Sequence, residues 1–248
     1  NLVNELKNGK RLDARKVDEV RKISIQKNFS LNADGCARVK FGQTDVIAGV
    51  KFAVMPPYPD SPNEGTISVG AELLALASPD FEAGPPREDS IELSRVVDRG
   101  IRESKAIDFE SLSIREKELA WTAFVDLYIL NDDGNLFDAC ALAALSSLLE
   151  ARIPKLEDDK IVKGEYAGKL KLQKKPVLST FAKIANINVL DPVLLEEKAM
   201  SSRFSVSTTE DDRICAFQKG FGGSYNFSEV DQMIDIAFAN AKHLRSLL

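Results

Sequence analysis

The chain has 248 residues, 44% apolar and 29% charged, which supplies the apolar mass for a packed core of one large domain or two small ones. A formal charge of −5 argues against a protein that coats nucleic acid wholesale, although a local basic face can still steer phosphates. Cys36, Cys140 and Cys215 lie far apart, each in an apolar pattern, so they read as buried thiols in a reducing compartment rather than as disulfides or a metal site.

In chain order, Asn1–Asn8 reads as a short helix and Arg11–Glu19 as a charged connector, together an N-terminal helix and arm over residues 1–20. Lys22–Leu31 alternates Ile23, Ile25 and Phe29 with polar neighbours and reads as a strand. After the Asp34-Gly35 turn, Cys36–Phe41 and Thr44–Phe52 flank Gly42-Gln43 as a two-residue hairpin. Pro56–Asn63 is loop, Gly65–Leu74 a further strand, and Pro79–Asp89 a Pro-rich break. Asp89–Ile107 is predicted to be a helix capped at Asp89, with Glu92 three residues on. Leu93, Val97 and Ile101 share one face of it, and Arg95, Arg99 and Arg102 the opposite one.

Phe124–Leu130 is an apolar, β-branched and aromatic run, a buried strand, followed by the dense turn signal Asn131-Asp132-Asp133-Gly134-Asn135. Leu136–Leu149 is apolar almost all round and must be a buried helix. A strand feeding a helix through a glycine turn aims several backbone N–H groups at one place and can cradle an anion. Lys155–Lys175 is polar and lysine-rich, with Lys169, Lys171, Lys174 and Lys175 read as a solvated strand edge. Pro176–Ile184, Ile187–Leu190, Arg203–Thr208 and Arg213–Lys219 are strands, the last two a hairpin. Gly220–Gly223 is a loop, and Ser228 is the predicted cap of a final helix with an apolar stripe from Val230 to Leu244.

Strands followed by a helix thus occur twice, without a linker between. This predicts an α+β fold of two pseudo-repeated β-rich halves packed with helices, forming one domain over residues 1–248. No signal peptide or long apolar span is present, so a cytoplasmic protein with no membrane association is expected. The sequence opens at Asn1 rather than Met, so native residues are expected ahead of it. Asp132, Asp133 and Asp138 match no calcium loop, and one histidine, His243, is too little for triad or histidine–metal chemistry. No catalytic residue, cofactor site or metal site is assigned.

Four ordered motifs, ADGCARVKFGQTDVIAGVKF, ELSRVVDRGIRESKAID, VDLYILNDDGNLFDACALAAL and VLDPVLLEEKAM, resemble the RNase PH family from about Asp13 to the C-terminus. They are most similar to its non-catalytic branch in the archaeal exosome. The resemblance implies the RNase PH fold (ribosomal protein S5 domain 2-like). It also implies a place in a hexameric ring, a trimer of heterodimers with a catalytic RNase PH-like paralogue, which degrades RNA 3′ to 5′ with phosphate. Caps carrying S1 or KH domains would bind one face of the ring, and single-stranded RNA would pass through the pore.

In active members the turn resembles Gly-Ser-Arg-Thr, whose Ser and Arg bind phosphate; here Asn135, Leu136 and Phe137 follow Gly134. A leucine offers no guanidinium to a phosphate dianion. The catalytic Glu-Asp-x-x-x-x-x-Asp run is expected before the Pro176–Ile184 strand, where Lys171–Pro176 holds lysines instead. The resemblance therefore implies a subunit silent by itself, which shapes the partner's active site, with Arg95, Arg99, Arg102 and Lys105 as its RNA-binding residues. Two alternatives remain at this point: an active phosphate-dependent exoribonuclease, and a small-molecule-binding α/β enzyme using the Gly134 turn.

Overall fold

The structure is a computed structural model describing residues 2–248. Its first half runs α1 (Leu2–Lys7), β1 (Ile23–Lys27), β2 (Gly35–Phe41), β3 (Thr44–Met55), β4 (Thr66–Leu73), α2 (Glu88–Glu103), β5 (Ser113–Arg115), β6 (Leu119–Asn131) and α3 (Leu136–Glu150). These strands form one sheet in the order β1-β2-β3-β6-β4, with β5 added to β6. Only β4 and β6 pair in parallel, and α2 supplies the crossover that a parallel pair requires. Val39, Phe41, Val46, Ala48, Val50, Val125, Leu127 and Ile129 are buried at 1% exposure or less and belong to the core cluster that includes α3. The helix lies close because a Cβ on Gly35 of β2 would fall 2.5 Å from the Ser147 carbonyl oxygen and 2.7 Å from the Ala151 nitrogen.

The second half holds a two-stranded ribbon, β7 (Arg152–Glu157) and β8 (Lys160–Lys169). It continues with β9 (Val177–Ile184), β10 (Ile187–Leu190), α4 (Leu194–Ala199), β11 (Ser202–Thr208), β12 (Ile214–Gly220) and α5 (Phe227–Ser246). The sheet order is β10-β9-β11-β12, all antiparallel. Every residue of β9 and β11 is buried. The alternation of side chains along β9 explains this: Thr180 bonds Asp138 of α3 on one face, and Ser179 bonds Asn240 of α5 on the other. A strand covered on both faces reads as a continuous apolar run. α3 is thus shared between the two sheets, and its apolar character all round follows.

Several expectations shift. α2 starts at Glu88 after Arg87, so Asp89 lies in its first turn rather than capping it, and it stops at Glu103 rather than Ile107. α5 is capped by Asn226, whose side chain accepts from the Glu229 N–H while Glu229 reaches back, so Ser228 is inside the first turn. The lysine-rich 155–175 stretch holds the end of β7 and all of β8, joined by a turn at Asp158 and Asp159, both left-handed at φ 48° and 61°. No helix among the described residues is long and apolar enough to cross a membrane.

Candidate functional site

Helix α2 is pinned through Leu93, Val96, Val97 and Ile101, all buried, so its opposite face must be presented outward. That face and residues 67–69 of β4 bound a cleft of about 420 Å³ lined by Arg95, Arg99 and Arg102. The three arginines differ in their engagements. Arg95 is exposed and, among the described residues, makes no hydrogen bond or ion pair. Arg99 is exposed and donates to the Gln218 side-chain oxygen at 3.0 Å and the Phe217 carbonyl at 3.4 Å. Arg102 is half-buried, bidentate to Asp98 at 3.0 and 3.1 Å, bonded to the Ile67 carbonyl at 2.8 Å, and over the Phe109 ring at 5.4 Å. Lys105 stands apart: it sits exposed in the turn after α2, at φ 55°, and does not line the cleft.

The turn before α3 is the second site. Gly134 sits at φ 84°, and a Cβ there would lie 2.5 Å from the Leu194 nitrogen, so both conformation and space require glycine. Asn135 is left-handed at φ 56°, fully buried, and caps α3 by accepting from the Asp138 N–H. Three of the N–H groups around the turn are already engaged. Gly134 N donates to Asp132 at 3.0 Å, Asn135 N to Glu197 at 2.9 Å, and Asp138 N to Asn135. The chain's own carboxylates occupy the positive end of the helix, where the macrodipole favours them. Burial pushes the Glu197 carboxyl up to about 7, against the opposing Asn135 hydrogen bond.

Lys171–Pro176 does not approach this turn: Leu172 bridges Ile107, Lys174 pairs with Asp211 at 2.8 Å, and Lys175 N donates to Glu210. The segment that faces the turn is Glu196-Glu197 of α4, five residues, then Arg203 near the start of β11. Its Glu-Glu-x5-Arg spacing resembles the Glu-Asp-x-x-x-x-x-Asp run expected of active members, with arginine in the last place. Glu196 is buried and tied to Arg11 by bonds of 2.9 and 2.5 Å, and Glu197 serves the Asn135 N–H. The Arg203 guanidinium lies 4.0 Å over the Phe137 ring and donates to Glu92 at 2.5 Å. Nothing in this arrangement offers a basic pocket for phosphate. The adjoining cavity, about 420 Å³, is lined by Asp89, Glu92, Asp132 and Glu197 against only Lys198 and Arg203.

A third cluster gathers around Asp191, and its arginines come from the N-terminal arm that reads as a connector and from Arg21 just after it. Asp191, at 0% exposure, receives Arg21 through Nη2 at 2.7 Å, Nε at 3.0 Å and its backbone N–H at 2.8 Å, Arg15 at 2.9 Å, and the Asn135 amide at 2.8 Å. Arg11 and Arg15 also bond the Asp191 carbonyl, so the arm that reads as a charged connector is stitched into the fold. Only the Glu-Glu-x5-Arg spacing could signal any of this in the sequence; the partners of Arg11, Arg15 and Arg21 in this cluster lie more than 100 residues away.

Residues 19–154 match the 3′ exoribonuclease family, domain 1 (RNase PH), and residues 175–240 match domain 2 of the same family. The chain belongs to the RNase PH family. Its sheets and helices are the RNase PH fold, the α+β architecture expected from the motifs. Among curated relatives it is 44% identical over 251 residues to the exosome complex component Rrp42 of Thermococcus gammatolerans, covering all of this chain and 92% of the relative. It is 46% identical to that of Methanothermobacter thermautotrophicus, covering 96% and 89%. Among solved structures, a chain of the Archaeoglobus fulgidus exosome with RNA bound to the active site superposes at TM-score 0.93, with 42% identity over 99% of this chain and 95% of that one. A chain of an archaeal exosome core gives 0.88 at 38% identity, covering 98% and 93%. Rice Rrp46, at 18% identity and 0.72, shares the RNase PH fold.

Proposed function

We propose that this chain is a non-catalytic subunit of an archaeal exosome. It alternates with a catalytic RNase PH-like paralogue in a ring of three heterodimers, and helps hold single-stranded RNA through α2 while S1- or KH-bearing caps sit on one face. The observation that carries the silent role is the turn: Leu136 stands where the family's phosphate-binding arginine would be, and Arg203 where its last catalytic acid would be. Acid–base work on a departing oxygen needs a carboxyl within reach, and the two remaining carboxyls are bound internally. Residues 2–248 act as one folding unit in this reading, because α3 is a layer of both sheets.

The isolated chain, given single-stranded RNA and inorganic phosphate, is expected to release no nucleoside diphosphate, whereas the ring formed with the paralogue should. Robust release from the chain alone overturns the silent role and supports an active exoribonuclease.

In the same ring, Arg95→Ala/Arg99→Ala should weaken RNA binding by about 1–3 kcal/mol, the range of charge-assisted hydrogen bonds. For every phosphate no longer neutralised, the slope of log affinity against log salt should flatten by about 0.7. Both side chains are exposed, so the melting temperature should stay close to that of the unsubstituted ring. Unchanged affinity and slope would make these arginines a solvated helix face.

A further inference from the structure

We infer that Gln218 is a positioning residue for Arg99, and that the rebuilt acidic run serves as its anchor; the inference rests on the RNA role proposed for α2. The Arg99 guanidinium donates to Gln218 Oε1 at 3.0 Å, and Gln218 Nε2 donates to Glu92 Oε1 at 2.9 Å. The same Glu92 oxygen accepts from Arg203 at 2.5 Å. Arg203 itself has only 7% of its side chain exposed and sits 4.0 Å over the ring of Phe137, in the first turn of α3. Four side chains thus connect an exposed cation on the cleft to a buried cation at the former phosphate turn.

Each member has a physical reason to be what it is. Glu92 and Arg99 are seven residues apart on α2, about 10 Å along the axis, too far to pair directly. A bridging residue must accept from a cation at one end and donate to a carboxylate at the other, and an amide does both. Only one orientation of the Gln218 amide satisfies both neighbours. Arg203 fixes Glu92, and its close approach depends on Gly220, since a Cβ there would lie 2.7 Å from the guanidinium. Two glycines of the Gly220–Gly223 loop thus have a packing reason: Gly220 against Arg203, and Gly223 against the Ser201 carbonyl at 2.7 Å.

The consequence is that Arg99 is ordered before RNA arrives. An unanchored arginine loses rotamer freedom on binding, and an anchored one has already lost it. Gln218→Leu keeps the bulk and removes both hydrogen bonds on a half-buried edge-strand residue, so the fold is not at risk. In the reconstituted ring it should weaken RNA binding by about two- to tenfold, the equivalent of ordering one long side chain. The salt slope should stay at the unsubstituted value, because the pairing of Arg99 with phosphate still forms. Arg99→Ala should flatten the slope instead, by about 0.7.

The deciding measurement is the double-variant cycle, with melting temperature as the control. Gln218→Leu should cost affinity in the Arg99 background and nothing further in the Arg99→Ala background. Equal losses in both backgrounds, or a silent Gln218→Leu beside a damaging Arg99→Ala, overturn the anchor and leave the RNA role standing. A silent Arg99→Ala overturns both.

Discussion

Asp191→Ala is expected to destabilise the protein by about 3–5 kcal/mol, the cost of leaving a buried charge without its partner. The carboxylate is fully buried and is the common acceptor of Arg15, Arg21 and Asn135. Burial alone would raise its pKa, yet the Arg21 hydrogen bonds and charge hold it below the ordinary carboxylate range. Removing it leaves Arg21 with the carbonyls of Asp133 and Gly134, the Thr44 hydroxyl and the half-exposed Asp133 carboxylate at 3.5 Å. It also frees Asn135, the cap of α3, so the damage reaches the helix shared by both sheets.

Part of any loss at this position has a second source. Asp191 is left-handed at φ 50°, which aspartate and asparagine tolerate better than alanine does. Asp191→Asn keeps that tolerance while placing an amide donor against arginine donors, so it should remain strongly destabilising. Asp133→Ala removes the outer partner of Arg21, 39% exposed and 3.5 Å away, and should cost under about 1 kcal/mol. Urea unfolding of the three variants checks the order. An Asp191→Asn variant as stable as the Asp133→Ala variant would show that the ion cluster contributes little and that the left-handed backbone is what matters.

These residues also show what a sequence can and cannot convey. Periodicity finds the β6–turn–α3 unit and the arginine face of α2, because one-sided burial leaves a mark at the helical or strand period. The β7–β8 ribbon leaves no such mark: β8 has only Val162 and Tyr166 even half-buried, so its two faces look alike. Arg11 reads as solvated because an arginine buried against Glu196 and one facing water have the same local pattern. The difference lies in a partner 185 residues away. Which segment faces the turn before α3 is hidden for a related reason. Lys171–Pro176 and Glu196–Arg203 both lead into a strand, and only the structure shows which of them faces Asn135.

The remaining effect of size is on pH. Asp138 is fully buried, and burial, reinforced by the neighbouring Asp191 charge, pushes its carboxyl up to about 7 despite hydrogen bonds from Asn135 and Thr180. Glu197 is likewise pushed up to about 7 by burial. In the unfolded chain both titrate near about 4. Between about pH 4 and pH 7 the folded protein therefore holds more protons than the unfolded chain, and linkage makes stability fall as pH rises through that window. Asp191 acts in the opposite sense, since its lowered pKa gives stability that is present above about pH 4 and lost below it. The optimum of these three groups should lie at about pH 4. Urea unfolding at about pH 5 and about pH 8 should differ by roughly 5 kcal/mol if both carboxyls titrate, with the acid side more stable. Glu197→Gln retains an oxygen for the Asn135 N–H and cannot ionise, so it should shrink that difference, and adding Asp138→Asn should shrink it further. A pH difference as large in the double variant as in the unsubstituted protein would assign it to other groups and refute the titration of this pair.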